Sequence, residues 1–188
     1  AAALALSTCL GASAGAAMLT GGQPPGDQFE LAFVLWDPAA EVAYTLDLGL
    51  LGDDFFAQGQ DDAGYQRFWT LAPAGDPNLA RFRTAISNPA GVRWGVMGFD
   101  DGGFGGAGEA RFFTTLEQGT AQGVRNENYT RLSNLPNITV QSIATTGAVN
   151  WMTDINSNAD DPLNTSGFRP GLSLEENFAI NGSSFNVK

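Results

Sequence analysis

Large and small residues alternate along residues 1–19. Leu4, Leu6, Thr8, Leu10, Ala12, Ala14, Ala16 and Met18 fall on even positions, and the odd positions through Ala17 hold only Ala, Ser, Cys and Gly. Successive side chains of an extended strand point to opposite faces. The pattern therefore predicts a strand with one bulky and one thin face, suited to a groove. The same residues also fit the apolar core of a secretory signal, with Ala12-Ser13-Ala14 as a small-residue cleavage site. Under the first reading Leu4, Leu6, Leu10 and Met18 are subunit-interface residues. Under the second the segment is removed.

Gly21-Gly22-Gln23-Pro24-Pro25-Gly26 then reads as a linker, flexible at first and stiffened by two prolines. This divides the chain into an apolar extension at 1–20, a linker at 21–27 and a β-rich domain at 28–188. Residues 29–36 are apolar on both faces, as a central strand covered on two sides would be. Asp37-Pro38-Ala39-Ala40 is a turn. Val42, Tyr44, Leu46 and Leu48 alternate with smaller or polar residues, completing a hairpin. Residues 65–71 (YQRFWTL) predict a third strand. Asp76-Pro77 followed by Leu79, Phe82 and Ile86 predicts a capped helix ending before Asn88-Pro89. Residues 92–99 and 110–116 predict a second hairpin around a glycine-rich loop. Further on, 118–135 holds a helix candidate, and 138–143, 148–152 and 178–187 are strand candidates, with a polar loop over 154–171. The expected fold is mainly β: a β-sandwich or jelly-roll-like single domain with one or two short helices and the N-terminal strand-like extension.

The chain has 188 residues and a net charge of −11, from 20 acidic against 9 basic residues. The arginines are scattered and Lys188 is the one lysine, so the basic footprint that nucleic acid requires is missing. Sheet edges also lack the residue that most often guards them against pairing with other chains. No apolar run free of polar breaks is long enough for a membrane span. With no histidine, Ser–His and Cys–His catalysis and imidazole metal sites are excluded. The single Cys9 forms no internal disulfide.

Four patterns touch on chemistry. Asp154, Asn156, Asn158 and Asp160 place oxygen ligands at alternate positions, as a calcium loop does. Ala159 stands where the bend needs glycine and no bidentate glutamate follows, so a solvated polar turn is the plainer reading. Gly103, Gly105 and Gly108 match a dinucleotide fingerprint in spacing alone, because a β-type run follows instead of a helix. The adjacent acids Asp53/Asp54, Asp61/Asp62, Asp100/Asp101 and Asp160/Asp161 could supply the two carboxylates of a glycoside hydrolase, yet in loops such pairs are usually surface charge. Trp36, Trp69, Trp94 and Trp151 could stack on sugars, but each lies in an apolar run, and a core role is expected for at least three. Sequons stand at Asn128, Asn137, Asn164 and Asn181.

One resemblance adds to this. ELAFVLWDPAAEVAYTLDLGL, beginning at Glu30, is followed by Asp53-Asp54-Phe55, by Trp94-Gly95-Val96-Met97-Gly98-Phe99-Asp100 and by Arg111-Phe112-Phe113-Thr114-Thr115. Over about residues 28–117 this resembles a group of secreted betaproteobacterial surface or matrix proteins. That group shows a "WD" turn, "SYTRDLG"-like and "DSF"-like segments, a "W-x-V-x-A-x-D" strand and an "R-x-x-T-T" strand. Its members often carry a PEP-CTERM sorting tail and have no assigned activity. Here the chain reads Asn186-Val187-Lys188 without that tail. The resemblance implies export to the extracellular space or the cell surface of a Gram-negative bacterium, and names no reaction. Together these readings lead to the expectation of a non-enzymatic, secreted subunit that polymerises with copies of itself by strand addition. No resident cofactor is expected beyond a calcium ion at 154–160, and a polysaccharide is a conceivable contact. The alternative is a monomeric carbohydrate-binding or adhesive module, and a carboxylate hydrolase ranks third.

Overall fold

The computed structural model describes residues 18–19, 28–59, 62, 64–69, 71, 75–100, 110–115, 130, 134–145 and 166–170. Five strands form one antiparallel sheet: β1 (Glu30–Asp37), β2 (Val42–Leu51), β3 (Arg93–Asp100), β4 (Arg111–Thr114) and β5 (Ser166–Pro170), in the order β4-β3-β1-β2-β5. Among the described residues, α1 (Gly52–Gln58), α2 (Pro77–Ala85) and α3 (Asn137–Thr145) are short α-helices, and Pro89–Gly91 makes a 3-10 turn before β3. The described residues are thus mostly β, as expected.

The two expected hairpins form, and they meet along β1 and β3, where Ala32 lies opposite Met97 and Trp36 opposite Arg93. Strand β1 is central because both its faces are apolar and both are covered. On one face Ala32 and Val34 join Ala43, Met97 and Phe99, with Trp36 and Phe112 at the margin, under Ile143 of α3. On the other, Leu35, Val42, Tyr44, Leu46 and Phe168 pack against Leu79 and Phe82 of α2.

The turn between β1 and β2 is built on one carboxylate. Asp37 Oδ1 accepts from the backbone N–H groups of Ala39 (2.9 Å) and Ala40 (3.2 Å). Its Oδ2 accepts from the backbone N–H (2.8 Å) and hydroxyl (2.9 Å) of Ser87, just past α2. The Ser87 N–H leads in favouring the ionised form, and it holds the Asp37 carboxyl down at about 2. Helix α2 starts as predicted, with Asp76 as N-cap accepting from Asn78 and Leu79 N–H and Pro77 in the first turn.

A β-bulge interrupts β2. Leu31 lies opposite Leu50 but Ala32 lies opposite Asp47, so Leu48 and Gly49 are extra. Gly49 takes φ +56°, and its N–H donates to Asp47 Oδ1 at 2.7 Å. Gly98 of β3 is required for a different reason: a Cβ there would sit 2.7 Å from Leu31 Cδ2 and 2.9 Å from the Glu30 carbonyl.

Three expectations are corrected. Residues 138–143, read as a strand, belong to α3, where Thr139 and Val140 N–H groups donate to the Pro136 carbonyl. A short apolar run fits either period. Here the helical one buries Ile143 and Ala144 and leaves Ile138 68 % exposed. Residues 65–69 and 71, read as a third strand, lie outside the sheet. Residues 166–170, read as polar loop, are β5, a strand defined by pairing with Val42–Leu46. The helix candidate within 118–135 and the strand candidates at 148–152 and 178–187 fall mainly or wholly outside the described residues.

Candidate functional site

The N-terminal extension joins the domain at Met18 and Leu19. Glu30 N–H donates to the Leu19 carbonyl at 3.0 Å, and Leu19 N–H donates to Glu30 Oε2 at 2.8 Å. Met18, 2 % exposed, enters the core cluster with Ala32, Val34, Met97, Phe99 and Ile143. Of the four residues expected at a subunit interface, Met18 is therefore buried in its own domain, and Leu4, Leu6 and Leu10 lie outside the described residues. Two carboxylates attend this junction. Burial raises Glu30, the Leu19 N–H opposes that, and the Asp47 charge adds to it; burial likewise raises Asp47, against the Gly49 N–H.

A second constellation closes the base of the glycine-rich hairpin. Arg111 of β4 donates through Nε and Nη2 to Asp100 Oδ2 (2.9 and 2.7 Å) and through Nη1 to Asp53 Oδ1 (2.7 Å). The guanidinium lies over the rings of Phe29 (5.3 Å) and Phe56 (5.9 Å), a cation–π arrangement on both. Burial works against its charge, but the hydrogen bonds it donates to Asp53 and Asp100, with their negative charges, outweigh that and raise its pKa. Phe55, Phe56 and Phe113 stack edge-on beside it. One member from each of two expected acid pairs, Asp53 and Asp100, is thus engaged by a cation. That arrangement suits a structural clamp; a general acid needs a carboxyl able to hold and release a proton. No sequence pattern marked Arg111 as the hub, since its partners are far from it in the chain.

The third feature is a set of exposed apolar side chains. Phe68 is 88 % exposed, Trp69 42 % and Leu71 40 %, and Trp69 Nε1–H donates to the Leu48 carbonyl at 3.0 Å inside the β2 bulge. Arg67 covers the Tyr65 ring at 5.7 Å. Trp94, at the start of β3, is also exposed. The expected core role for at least three tryptophans is corrected: Trp36 packs on the core, Trp69 and Trp94 do not, and Trp151 lies outside the described residues. Trp69 is outside because the strand expected around it does not form.

The calcium candidates Asp154, Asn156, Asn158 and Asp160, with Asp61, Asp101 and Asp161, also lie outside the described residues. Among the described residues no group of three or more His, Cys, Asp or Glu side chains is set to hold a metal. Asp62 is exposed and accepts from the Gly64 N–H. Strand β4 follows the glycine loop, where a phosphate site would need a helix N-terminus. No described helix is long and apolar enough to cross a membrane. Searches of protein-family models, of curated proteins and of solved structures each return no match for this chain.

Proposed function

We propose that this chain is a secreted, non-enzymatic structural subunit that assembles with copies of itself into an extracellular filament or sheath by strand addition. The observation that carries the reading is the uncharged, period-two segment 1–17, tethered to a folded domain at Met18–Leu19. Extended, it reaches up to about 55 Å, enough to cross a neighbouring subunit. A strand added to a partner gains main-chain hydrogen bonds for affinity and side-chain pockets for specificity. The scarcity of lysine fits the reading, because it leaves edges unguarded. Export to the surface of a Gram-negative bacterium follows from the sequence resemblance. A sandwich or jelly roll, with strands at 148–152 and 178–187 adding a second layer, belongs to the same proposal, as does a calcium ion at 154–160.

Electron microscopy and sedimentation of the full chain, compared with a chain lacking residues 1–17, test it. The truncated protein should be a folded monomer that forms no polymer. Normal polymers from it would overturn the strand-addition reading. A second reading, a monomeric carbohydrate-binding or adhesive module, is favoured by the exposure of Trp69 and Trp94. It requires that the full chain stay monomeric and be retarded on a polysaccharide matrix.

A further inference from the structure

Met18 and Leu19 sit on a part of the sheet that holds two carboxylates and no cation. Met18 shares the core cluster with Ala32. On the same face of the sheet Ala32 is flanked by Glu30, two residues earlier, and by Asp47, directly opposite in the register. Leu19 closes on the first of these. Its carbonyl accepts from the Glu30 N–H at 3.0 Å and its N–H donates to Glu30 Oε2 at 2.8 Å, so the two residues are bonded twice. Seating Met18 and Leu19 therefore takes water from around Glu30, beside Asp47.

Nothing nearby neutralises these charges. Glu30 and Asp47 form no ion pair among the described residues. Asp47 is the only charged residue of β2, and α3 carries none. On β3, Arg93 lies opposite Trp36, near the other end of β1, and Asp100 is held by Arg111. On α1, Asp53 is held by Arg111 and Asp54 is exposed. Arg111 itself lies over the Phe29 ring but is committed to those two aspartates.

We propose that Glu30 and Asp47 form a proton-controlled latch on the root of the N-terminal segment: while the pair keeps a proton Met18 and Leu19 stay seated, and when both carboxylates ionise they leave the domain. The latch stands whether or not residues 1–17 add to a neighbour. The Leu19 N–H favours ionised Glu30, but burial and the Asp47 charge outweigh it, and burial raises Asp47 as well. The seated form thus binds protons more tightly than a form in which both groups are hydrated. Seating is complete below the ordinary carboxylate range and is lost as pH rises through the raised values. The opening equilibrium shifts by up to about tenfold per pH unit for each proton lost.

Met18 is its own reporter, because a thioether 2 % exposed is shielded from peroxide until it leaves the core. The full chain is treated with dilute hydrogen peroxide at a series of pH values from the ordinary carboxylate range upward. Peptide mass spectrometry follows Met18 sulfoxide, and circular dichroism follows the sheet. Oxidation of Met18 should accelerate several-fold as pH rises, at constant circular dichroism. In Glu30→Gln/Asp47→Asn it should keep its low-pH rate throughout. Asp47→Asn alone, which leaves both Leu19–Glu30 hydrogen bonds in place, should reduce the rise. The latch is overturned by a Met18 rate that is flat or falls with pH, that climbs equally in either variant, or that climbs only as circular dichroism is lost.

Discussion

Replacing Asp76 by alanine removes four hydrogen bonds, two that cap α2 and two that tie its start to the sheet. Its Oδ1 accepts from the backbone N–H groups of Asn78 (2.9 Å) and Leu79 (3.0 Å) and from the Ser166 hydroxyl (3.0 Å), and its Oδ2 accepts from the Tyr44 hydroxyl at 2.7 Å. One side chain therefore caps the helix, braces β2 and braces β5. Loss of the cap costs about 1 kcal/mol. Each hydrogen bond from Tyr44 or Ser166 to a charged acceptor is worth about 1.5–3 kcal/mol. Contributions within one network do not simply add, so Asp76→Ala should lose about 3–5 kcal/mol, a large share of the 5–15 kcal/mol typical of a domain. Urea unfolding followed by circular dichroism measures it, with the midpoint falling and the slope unchanged. Tyr44→Phe, alone and combined with Asp76→Ala, should show coupling of about 1–2 kcal/mol. A loss below about 1 kcal/mol, or no coupling to Tyr44, would refute the reasoning.

Arg111→Met keeps a hydrocarbon stem against Phe29 and Phe56 but strips Asp100, whose side chain is 8 % exposed, of its cation. It should cost about 2–3 kcal/mol, read as a drop in urea midpoint that Arg111→Lys only partly reverses. Asp37 has a folded pKa of about 2, below the ordinary 3.9 or so. Its stabilisation is complete above about pH 4 and is lost as pH falls toward 2; Asp37→Asn should flatten that limb of a stability–pH curve. Glu30 and Asp47 are raised, so the folded state holds their protons more tightly. Stability should climb as pH is lowered through their raised folded values toward the ordinary carboxylate range, and Glu30→Gln/Asp47→Asn should remove the climb. Gly98→Ala drives a Cβ into Leu31 and the Glu30 carbonyl, with an expected loss of about 1–3 kcal/mol in the same assay.

Local rules read well where they involve neighbours in the chain. Asp76-Pro77 announced α2 because a cap and a first-turn proline act within one turn. Asp37-Pro38 announced the β1–β2 turn, and two-faced apolarity placed β1 at the centre of the sheet. Where the deciding partner is distant, the sequence was mute. Strand β5 has no alternation of its own and is a strand because β2 offers it an edge. YQRFWTL is rich in aromatic residues that favour strands, yet its described residues 65–69 and 71 lie outside the sheet, and its tryptophan instead closes a carbonyl on the bulge. The Arg111 clamp unites three segments that no spacing rule relates. At the candidate site, the alternation in 1–19 pointed to an extended arm, but Met18 follows that alternation only in type, its side chain being spent on the domain's own core.

The strand order has a kinetic consequence. Strands β1 and β2 are joined by a tight turn, whereas β5 must close a loop of roughly 120 residues to reach β2, an entropic cost on the order of 4 kcal/mol. Short-range pairings reward the chain early and long-range ones late. During folding, the outer edge of β2 from Val42 to Leu46 therefore stays bare after the hairpin has formed, until Ser166–Pro170 arrives and Asn78 and Asp76 fasten Ser166 in place. A chain crowded among copies of itself passes through an interval in which a foreign strand competes for that edge. The time to dock β5, visible as a slow refolding phase that lengthens in Ser166→Ala, sets how long the competition lasts.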